Sequence, residues 1–362
     1  MAARIDLKLA HSYQANPTQE SDYALLPLEM SFRAGGAYAL LGPSGCGKTT
    51  LLNIMSGLVR PSQGVVLFDG VDVTEKSPQV RNIAQVFQFP VIYDTMTVAE
   101  NLAFPLRNRR MLEKDISKRV GQIAEMLELS GQLNQRASGL SADAKQKISL
   151  GRGLVRPDVS AILFDEPLTV IDPHLKWQLR RKLKQVHQEL KLTLIYVTHD
   201  QVEALTFAQE VVVMTRGKAV QTGTAEDLFE RPTHTFVGHF IGSPGMNFLQ
   251  GRVDAKSLEL GNTRLDLTQQ QAHDLEGLSL IKLGIRPEYV EVLNHPSANT
   301  LAAKVERIQD LGTSVLMTME CVGQLVRARL PLNYQQFTVG SEVHIALLGK
   351  HTCFYHNEEL VA

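Results

Sequence analysis

The chain has 362 residues, which suggests two or three domains, and 44% of them are hydrophobic and 21% charged, as in a soluble globular protein. Lysine and arginine number 37, and aspartate and glutamate 38. The net charge of −1 argues against a general binder of nucleic acid or anionic membranes, which would need a basic excess. The spacing of Cys46, Cys321 and Cys353 fits neither a disulfide framework nor a zinc site, which indicates a reduced, cytosolic protein.

The chain carries no obvious membrane-directed segment. Its N-terminal residues lack the apolar core of a signal peptide. No run approaches the ~18–20 apolar residues that span a bilayer. We therefore expect any work at a membrane to proceed through partner proteins.

The first 75 residues have the pattern of strands and turns. Residues 37–41 (AYALL) form a short continuous apolar run, typical of a buried strand. Residues 51–58 (LLNIMSGL) predict a helix, and the turn at 68–70 (FDG) between two apolar runs predicts a hairpin. This segment is therefore expected to begin an α/β domain.

Helices and strands are then predicted in alternation. Residues 113–130 have apolar side chains at steps of three and four, which indicates an amphipathic helix that ends at Ser130-Gly131. Strands are predicted at 161–164, 193–198 and 211–215, with helices from about Asp172 and about Asp200. This order predicts a parallel sheet with helices on both faces.

The composition changes after about residue 236. Residues 241–251 (IGSPGMNFLQG) resemble a connector, and the tail then consists of short apolar runs separated by Gly, Pro and Asn. The runs are LIKLGI, LAAKVERI, VLMTM and VHIALL. They predict a small barrel-like domain, so we expect one domain at 1–236 and a second at 237–362.

A phosphate-binding loop is predicted between the strand and the helix of the first segment. Its nine residues match G-x-x-x-x-G-K-[ST] and are Gly42, Pro43, Ser44, Gly45, Cys46, Gly47, Lys48, Thr49 and Thr50. Glycines let backbone N–H groups surround phosphates, and the helix N-terminus adds partial positive charge. Lys48 would supply a full positive charge and Thr49 a hydroxyl for Mg²⁺. Cys46 occupies a free position of the motif.

Two acidic residues follow the apolar strand at 161–164. Asp165 is expected at the carboxyl edge of the sheet, where ligands bind, and would hold Mg²⁺ directly or through water. Glu166 would polarise the attacking water as general base. Two adjacent acidic residues could also simply end a strand in solvent, without a catalytic role. The apolar strand before them and the phosphate loop elsewhere in the chain disfavour this interpretation.

Taken together, these motifs resemble the ATPase subunits of ABC transporters over essentially the whole chain. Gln88 resembles the Q-loop glutamine, which senses Mg²⁺ and the γ-phosphate, and His199 in YVTHD resembles the switch histidine. Residues 168–172 (LTVID) resemble the D-loop and residues 140–147 (LSADAKQK) occupy the signature motif. A lone glutamine in a loop or histidine at a strand end is usually solvated or structural, so only the joint pattern favours these roles.

Two further regions carry the resemblance. Tyr13 is similar to the aromatic that stacks on adenine, although the polar stretch after it lengthens the usual gap and leaves Tyr23 as an alternative. The segments 246–251, 284–290 and 305–312 resemble the OB-like regulatory domain of maltose- and glycerol-phosphate-type importer ATPases. Arg286, in the second of these segments, is expected to be structural.

The resemblance implies a fold, a function and a set of partners. The fold is a P-loop ABC-type nucleotide-binding domain with a helical subdomain, followed by an OB-like β-rich domain. The function is hydrolysis of ATP in the presence of Mg²⁺. The hydrolysis energises import of a sugar, a polyol such as glycerol, or glycerol phosphate. The partners are two membrane-spanning permease subunits, a second ATPase subunit and a periplasmic or extracellular solute-binding protein. The protein would lie peripherally at the cytoplasmic face of the plasma membrane.

Two other functions are compatible with a nucleotide-binding domain of this type. A soluble ABC ATPase acting on DNA or ribosomes would usually have coiled-coil arms or two ATPase halves in one chain, and neither pattern is present. A regulatory ABC subunit that hydrolyses ATP poorly is suggested by the altered signature motif. Measured turnover with and without membrane subunits would separate it from an importer ATPase.

The signature motif departs from the family's L-S-G-G-Q. Here it is Leu140-Ser141-Ala142-Asp143-Ala144. In the family, the motif of one subunit closes over ATP held by the other, where Ser141 would donate to the γ-phosphate and cap the following helix. At a separation of ~4 Å, a carboxylate at 143 would repel a unit charge on that phosphate by about 1 kcal/mol in water. The repulsion would be about 4 kcal/mol at an effective dielectric of 20. The motifs that bind this chain's own ATP are intact, so the hypothesis is a non-identical partner ATPase, with a homodimer of two weakened sites as the alternative.

Overall fold

The computed structural model describes residues 2–169, 171–333 and 337–361. The chain divides into two compact units, residues 1–224 and residues 225–362. The predicted boundary after residue 236 falls inside the second unit, because residues 225–241 pack with the β-rich part of the chain. None of the described helices combines the length and apolar character needed to cross a membrane.

The first unit mixes an antiparallel sheet, a mostly parallel sheet and a group of helices. Its elements are β1 (Ile5–His11), β2 (Leu25–Phe32), β3 (Ala37–Leu41), α1 (Lys48–Ser56), β4 (Gln63–Phe68), β5 (Val71–Asp72), α2 (Pro78–Arg81), β6 (Ile83–Val86), α3 (Val98–Arg107), α4 (Glu113–Met126), α5 (Ala142–Leu154), β7 (Ala161–Asp165), α6 (Pro173–Leu190), β8 (Leu194–Thr198), α7 (Gln201–Phe207), β9 (Glu210–Thr215) and β10 (Lys218–Gly223).

The central sheet is six-stranded, in the order β10-β9-β3-β8-β7-β6. All neighbouring pairs are parallel except β9 with β10. In β7, Ala161 and Leu163 pack into the core that contains α1, whereas Ile162 and Phe164 pack into the core that contains α3, α4 and α5. Helices therefore cover both faces, as the sequence predicted.

Two predicted helices have different bounds in the structure. The helix predicted at 51–58 begins at Lys48, so the last residues of the phosphate loop form its first turn, and it ends before Gly57, whose φ is +84°. The helix predicted to end at Ser130-Gly131 ends at Met126, and Glu128 then adopts a φ of +60°. A short 3-10 turn follows at Ser130–Gln132. The turn keeps Leu127 and Leu129 in the core.

The hairpin predicted in the first segment is present. Strands β4 and β5 pair antiparallel, with Leu67 opposite Asp72 and Phe68 opposite Val71. The two turn residues, Asp69 and Gly70, have φ values of +49° and +78°. Positive φ at both central residues matches the right-handed twist of the flanking strands.

The helical subdomain is built from α3, α4 and α5. Helix α3 starts with a capping box in which the Thr97 hydroxyl accepts from Glu100 N and the Glu100 carboxylate accepts from Thr97 N. Ser141 caps α5 by accepting a hydrogen bond from Ala144 N at 3.3 Å. Buried leucine, isoleucine and valine side chains from these helices share one core with the sheet.

The second unit is β-rich. Its elements are α8 (Ala225–Glu230), α9 (Thr235–Phe240), β11 (Asn247–Asp254), β12 (Ser257–Leu260), β13 (Thr263–Asp266), α10 (Gln269–Asp274), β14 (Leu280–Ile285), β15 (Glu291–Leu293), β16 (Thr300–Asp310), β17 (Val315–Cys321), β18 (Gln324–Leu330), β19 (Glu342–Ala346), β20 (Cys353–His356) and β21 (Glu359–Leu360). They form two sheets, β13-β12-β11-β14-β20-β21 and β15-β19-β16-β17-β18.

One apolar core joins the two sheets of this unit, as expected for a barrel-like domain. Arg286 is 1% exposed and donates to the carbonyl oxygens of Leu228, Phe229, Gly238 and Ile241. A buried guanidinium needs such acceptors, so Arg286 ties α8 and α9 to the end of β14. This is the structural role expected for it, and it explains why residues 225–241 belong to the second unit.

Candidate active site

The phosphate loop connects β3 to α1 at the carboxyl edge of the central sheet. Lys48 is 5% exposed, and its Nζ donates to the carbonyl oxygens of Gly42 at 2.8 Å and Pro43 at 2.9 Å. The loop therefore closes around the ammonium group. Pro43 and Ser44 are exposed on the outside of the loop.

The loop glycines occupy positions that other residues would strain. Gly45 has a φ of +78° with open space where a Cβ would point, and Gly47 has a φ of +101°. A Cβ on Gly47 would lie 2.6 Å from Ala24 O. Because the first turn of a helix leaves its N–H groups without intrahelical acceptors, α1 adds donors at the same place. The loop and α1 therefore fit a phosphate group.

Cys46 is buried inside the loop, with its Sγ 3.9 Å from Lys48 Nζ. Burial raises the pKa of the Cys46 thiol, while the Lys48 ammonium acts in the opposite direction. A buried thiol is a small apolar side chain rather than a reactive thiolate. Its size fits the loop, as the free position in the motif suggested.

A hydroxyl and a carboxylate meet across the sheet edge. Thr49 Oγ1, in the first turn of α1, donates to Asp165 Oδ1 at 3.1 Å, and Asp165 is the last residue of β7. Burial raises the pKa of the Asp165 carboxyl, and the hydrogen bond from Thr49 partly offsets this. Two oxygen atoms at this spacing, one of them on a half-buried carboxylate, are the ligand type that Mg²⁺ prefers.

Glu166 and His199 also meet, although they follow different strands. His199 Nδ1 lies 3.1 Å from Glu166 Oε2, and Thr169 Oγ1 donates to the same oxygen at 3.3 Å. Glu166 N donates to Val197 O at 3.0 Å, which extends the pairing of β7 with β8 by one hydrogen bond, and Glu166 then adopts a φ of +47°. Positive φ in a non-glycine residue is uncommon, and such strained residues cluster at functional sites, although others in this chain lie in ordinary turns.

Gln88 and the D-loop residues lie near the same edge of the sheet. Gln88 follows β6 by two residues and is half-buried, and among the described residues no hydrogen bond joins it to Thr49 or Asp165. Of residues 168–172, Val170 lies outside the described part of the chain. Leu168 and Ile171 are buried in the core below. Two D-loop residues thus anchor the segment to the core, whereas its last residue, Asp172, is exposed.

Of the two candidate tyrosines, Tyr13 is the one joined to the phosphate loop. Its side chain is 67% exposed, and its Oη lies 3.2 Å from Thr50 Oγ1. The ring stands edge-on to His11, with centroids 4.6 Å apart. Tyr23 is half-buried and follows a 3-10 turn at Glu20–Asp22. An exposed ring beside the first turn of α1 suits stacking against a base.

The signature segment, residues 140–144, is exposed at its second and third residues and carries an ion pair at its fourth. Ser141 and Ala142 are exposed at the start of α5. Asp143 Oδ2 instead lies 3.3 Å from Lys147 Nζ, one helical turn onward, with the two side chains 25% and 16% exposed. Asp143 Oδ1 is buried and has no hydrogen-bond partner among the described residues. The charge at 143 is thus partly balanced within the helix.

One charged residue that the motifs did not indicate is Glu203, in α7. Its carboxylate is 4% exposed and lies against the strand that ends just before His199. The sequence signal was available, since an acidic residue follows THD by three positions and faces the apolar side of α7. Burial itself was visible only in the structure.

Comparisons with known proteins show the family to which the chain belongs. Residues 25–169 match the ABC transporter family, residues 242–290 the MalK OB fold domain and residues 283–354 the TOBE domain. The ABC transporter protein cbiO1 of Clostridium perfringens, part of the complex cbiONQ, has the same fold, with a TM-score of 0.57 and 24% identity over 64% of this chain and 92% of that chain.

Curated relatives match over most of their length. The sn-glycerol-3-phosphate import ATP-binding protein UgpC of Shigella boydii is 40% identical over 80% of this chain and 81% of the relative. The UgpC protein of Escherichia coli K12 is 42% identical over 73% and 74%, and that of Yersinia enterocolitica 37% identical over 91% and 92%. The chain therefore belongs to the ATP-binding subunits of ABC importers, in the group whose second domain is a MalK-type OB fold.

Proposed function

We propose that this ATPase hydrolyses MgATP to energise import of glycerol 3-phosphate or a chemically similar polyol or sugar. The observation that carries the reaction is the convergence of Lys48, Thr49, Asp165 and the Glu166–His199 pair at one sheet edge. The names of the relatives support the solute class. They give no support to a regulatory subunit that hydrolyses poorly.

We assign each residue a role from its position in the structure together with the family resemblance. The loop Gly42–Gly47 and Lys48 would hold the β- and γ-phosphates, with Tyr13 against the adenine. Thr49, Asp165 and Gln88 would hold Mg²⁺, which neutralises charge between the β- and γ-phosphates.

The Glu166–His199 pair would serve the hydrolytic step. Glu166 accepts a proton from the attacking water as general base. His199 Nδ1, 3.1 Å from that carboxylate, keeps it in place and would reach the γ-phosphate with its other nitrogen. The protein supplies orientation and charge, and little else is required for phosphoryl transfer.

An exposed aromatic patch supports docking on membrane subunits. Phe87, Phe89, Val91 and Tyr93, on both sides of Gln88, are 38%, 68%, 54% and 42% exposed. Several apolar side chains so close in sequence mark an interaction surface. The proposed assembly has two permease subunits, a solute-binding protein outside the membrane and a second ATPase, and this subunit lies at the cytoplasmic face.

The signature segment supports a non-identical second ATPase. Ser141 would act on ATP bound by the partner, and Ala142 and Asp143 make that half of the site weaker than glycines would. This chain's own ATP would meet a normal signature on the partner and be hydrolysed. A homodimer with two weakened sites is the alternative assembly.

Reconstitution of the full transporter tests these proposals. ATP hydrolysis should rise when the solute-binding protein is loaded with glycerol 3-phosphate, and less with glycerol or maltose. Absence of any stimulation would contradict the import function.

A second experiment tests the pairing with a non-identical ATPase. ATP hydrolysis is measured for the subunit alone, for a candidate partner ATPase and for the mixture. Full turnover by the homodimer in its transporter would contradict the proposal of a non-identical partner.

A further inference from the structure

Glu203 has a buried carboxylate beside the proposed active site. None of the proposed steps of ATP hydrolysis uses this charge. It lies in α7 and is 4% exposed. Carboxylates are almost never buried to this degree without partners, because desolvation of the charge is costly. Its partners therefore indicate what the charge does.

Two of the partners are hydroxyls of β8. Glu203 Oε2 accepts from Thr198 Oγ1 at 2.9 Å and from Tyr196 Oη at 3.1 Å. Thr198 Oγ1 also accepts from Asp200 N at 3.0 Å. Thr198 and Asp200 are the residues on either side of His199, so the carboxylate holds the strand end from which His199 projects.

The same turn is fixed at its other end by Asp200. The Asp200 carboxylate caps α7 and accepts from Val202 N at 2.8 Å and from Glu203 N at 3.1 Å. Five hydrogen bonds thus link residues within 196–203, and three of these five involve Glu203.

The third partner comes from a different element. Lys176 Nζ lies 3.8 Å from Glu203 Oε1, with the lysine side chain 23% exposed. Lys176 is in the first turn of α6, and its N–H donates to Asp172 O at 2.9 Å. Segment 168–172 leads directly into that turn, so the ion pair links the D-loop to the turn that carries His199.

Tyr196 extends the contact towards Asp165. Its ring is fully buried and packs at 6.0 Å from Phe164, the residue before Asp165, and at 5.2 Å from Phe207. Burial and the adjacent Glu203 raise the pKa of Tyr196 well above its ordinary value. The phenol therefore stays protonated and donates.

We infer that Glu203 is a positioning residue that fixes His199 against Glu166 and couples this pair to the D-loop through Lys176. The inference rests on the proposed roles of Glu166 and His199. Glu203 itself has no contact with the phosphate loop among the described residues and is not a catalytic residue. Small displacements of oriented groups have large kinetic effects, with about 100-fold lost for ~1 Å.

The test is steady-state ATP hydrolysis by the full transporter carrying Glu203→Gln. The variant keeps an acceptor oxygen for β8 but removes the charge that faces Lys176. We expect kcat to fall about 10-fold with the KM for ATP changed less than about 2-fold, because the phosphate loop is untouched. Lys176→Met, at the less buried partner, should reproduce this effect if Glu203→Gln folds poorly.

A double-mutant cycle separates positioning from general destabilisation. In a His199→Ala background, Glu203→Gln should lower kcat no further, since the group that it positions is gone. A matched control is Glu128→Gln, which breaks the exposed ion pair of Glu128 with Lys182 of α6, 3.7 Å apart, and should leave kcat unchanged.

The outcomes are distinguishable. A wild-type kcat in both Glu203→Gln and Lys176→Met, or equal further losses in the His199→Ala background, would overturn the positioning role. If Glu166→Gln retains full turnover, the proposed function itself fails. If Glu166→Gln is inactive while Glu203→Gln is fully active, only this inference fails.

Discussion

The carboxyl edge of the central sheet carries Lys48, Thr49, Asp165, Glu166 and His199, and we call it the phosphate edge. It differs from the signature segment in how many of its side chains are held by contacts within the chain. At the phosphate edge, Lys48 is held by loop carbonyls, Thr49 by Asp165, and Glu166 by His199. At the signature segment, Ser141 and Ala142 are exposed, and the Ser141 hydroxyl accepts a hydrogen bond from Ala144 N of the same helix. Contacts within the chain organise the first region, whereas the second exposes residues that we propose face the nucleotide of a second ATPase.

This difference teaches where sequence changes are tolerated. A substitution at the phosphate edge breaks contacts on which several residues depend at once. Asp143 changes only a helix turn and finds Lys147 at 3.3 Å, so the fold accommodates it. The consequence of the altered signature is therefore expected in the assembled transporter rather than in the isolated subunit.

The largest expected effect is at the phosphate edge. Glu166→Gln should lower turnover about 10²- to 10⁴-fold, because it removes the proposed general base. ATP binding should persist, since the loop and Thr49–Asp165 pair are unchanged. ATP hydrolysis and equilibrium nucleotide binding measure the two effects. Glu113→Gln, which removes only a surface ion pair with Arg107, is the control and should hydrolyse normally.

Substitutions at the signature segment should have smaller effects, visible only on assembly. Asp143→Gly should raise turnover at the site completed by this segment about 10-fold, because it removes a carboxylate beside the partner's phosphate. Lys147→Met should lower it, because it leaves the Asp143 charge without its counter-ion. Turnover of reconstituted transporter measures both. No change in either variant would mean that the carboxylate does not face nucleotide.

Much of this contrast could be predicted from sequence. The phosphate loop, Asp165-Glu166 and the two domains follow from local patterns that one strand or one loop determines. The contact of His199 with Glu166 is not among the sequence-based predictions, which give each residue a role of its own. The two residues are 33 positions apart and are brought together by the pairing of β7 with β8. The Asp143–Lys147 pair was not foreseen, although their four-residue spacing permits it.

Other features could not be read from local patterns. The buried position of Glu203 depends on how α7 packs against β8 and α6, which no single segment specifies. Residues 228–241 are joined to the end of β14 by Arg286, whose four carbonyl partners lie 45 to 58 residues earlier. Long-range contacts of polar groups therefore limited the sequence-based predictions.

Paired substitutions at Ser141 would separate its two proposed roles. Ser141→Ala should lower the free energy of unfolding by about 1 kcal/mol because the cap of α5 is lost, and Ser141→Gly by only a few tenths. Both should lower turnover to a similar degree if the hydroxyl donates to nucleotide. Chemical denaturation and transporter ATPase assays measure the two properties. If turnover instead falls more in Ser141→Ala than in Ser141→Gly, in parallel with the free energy of unfolding, Ser141 only caps α5 and does not donate to nucleotide.

The smallest expected effect is a pH dependence at Asp165. Because burial raises the pKa of this carboxyl in the folded protein, its contribution to stability is present at low pH and is lost as pH rises through the folded pKa. Mg²⁺ requires the ionised form and should offset that loss. Melting temperatures across this range, with and without Mg²⁺, should therefore diverge as pH rises in the wild type and stay parallel in Asp165→Asn. Parallel curves in the wild type would show that Mg²⁺ does not bind at Asp165, and the phosphate edge would then lack one of its proposed ligands.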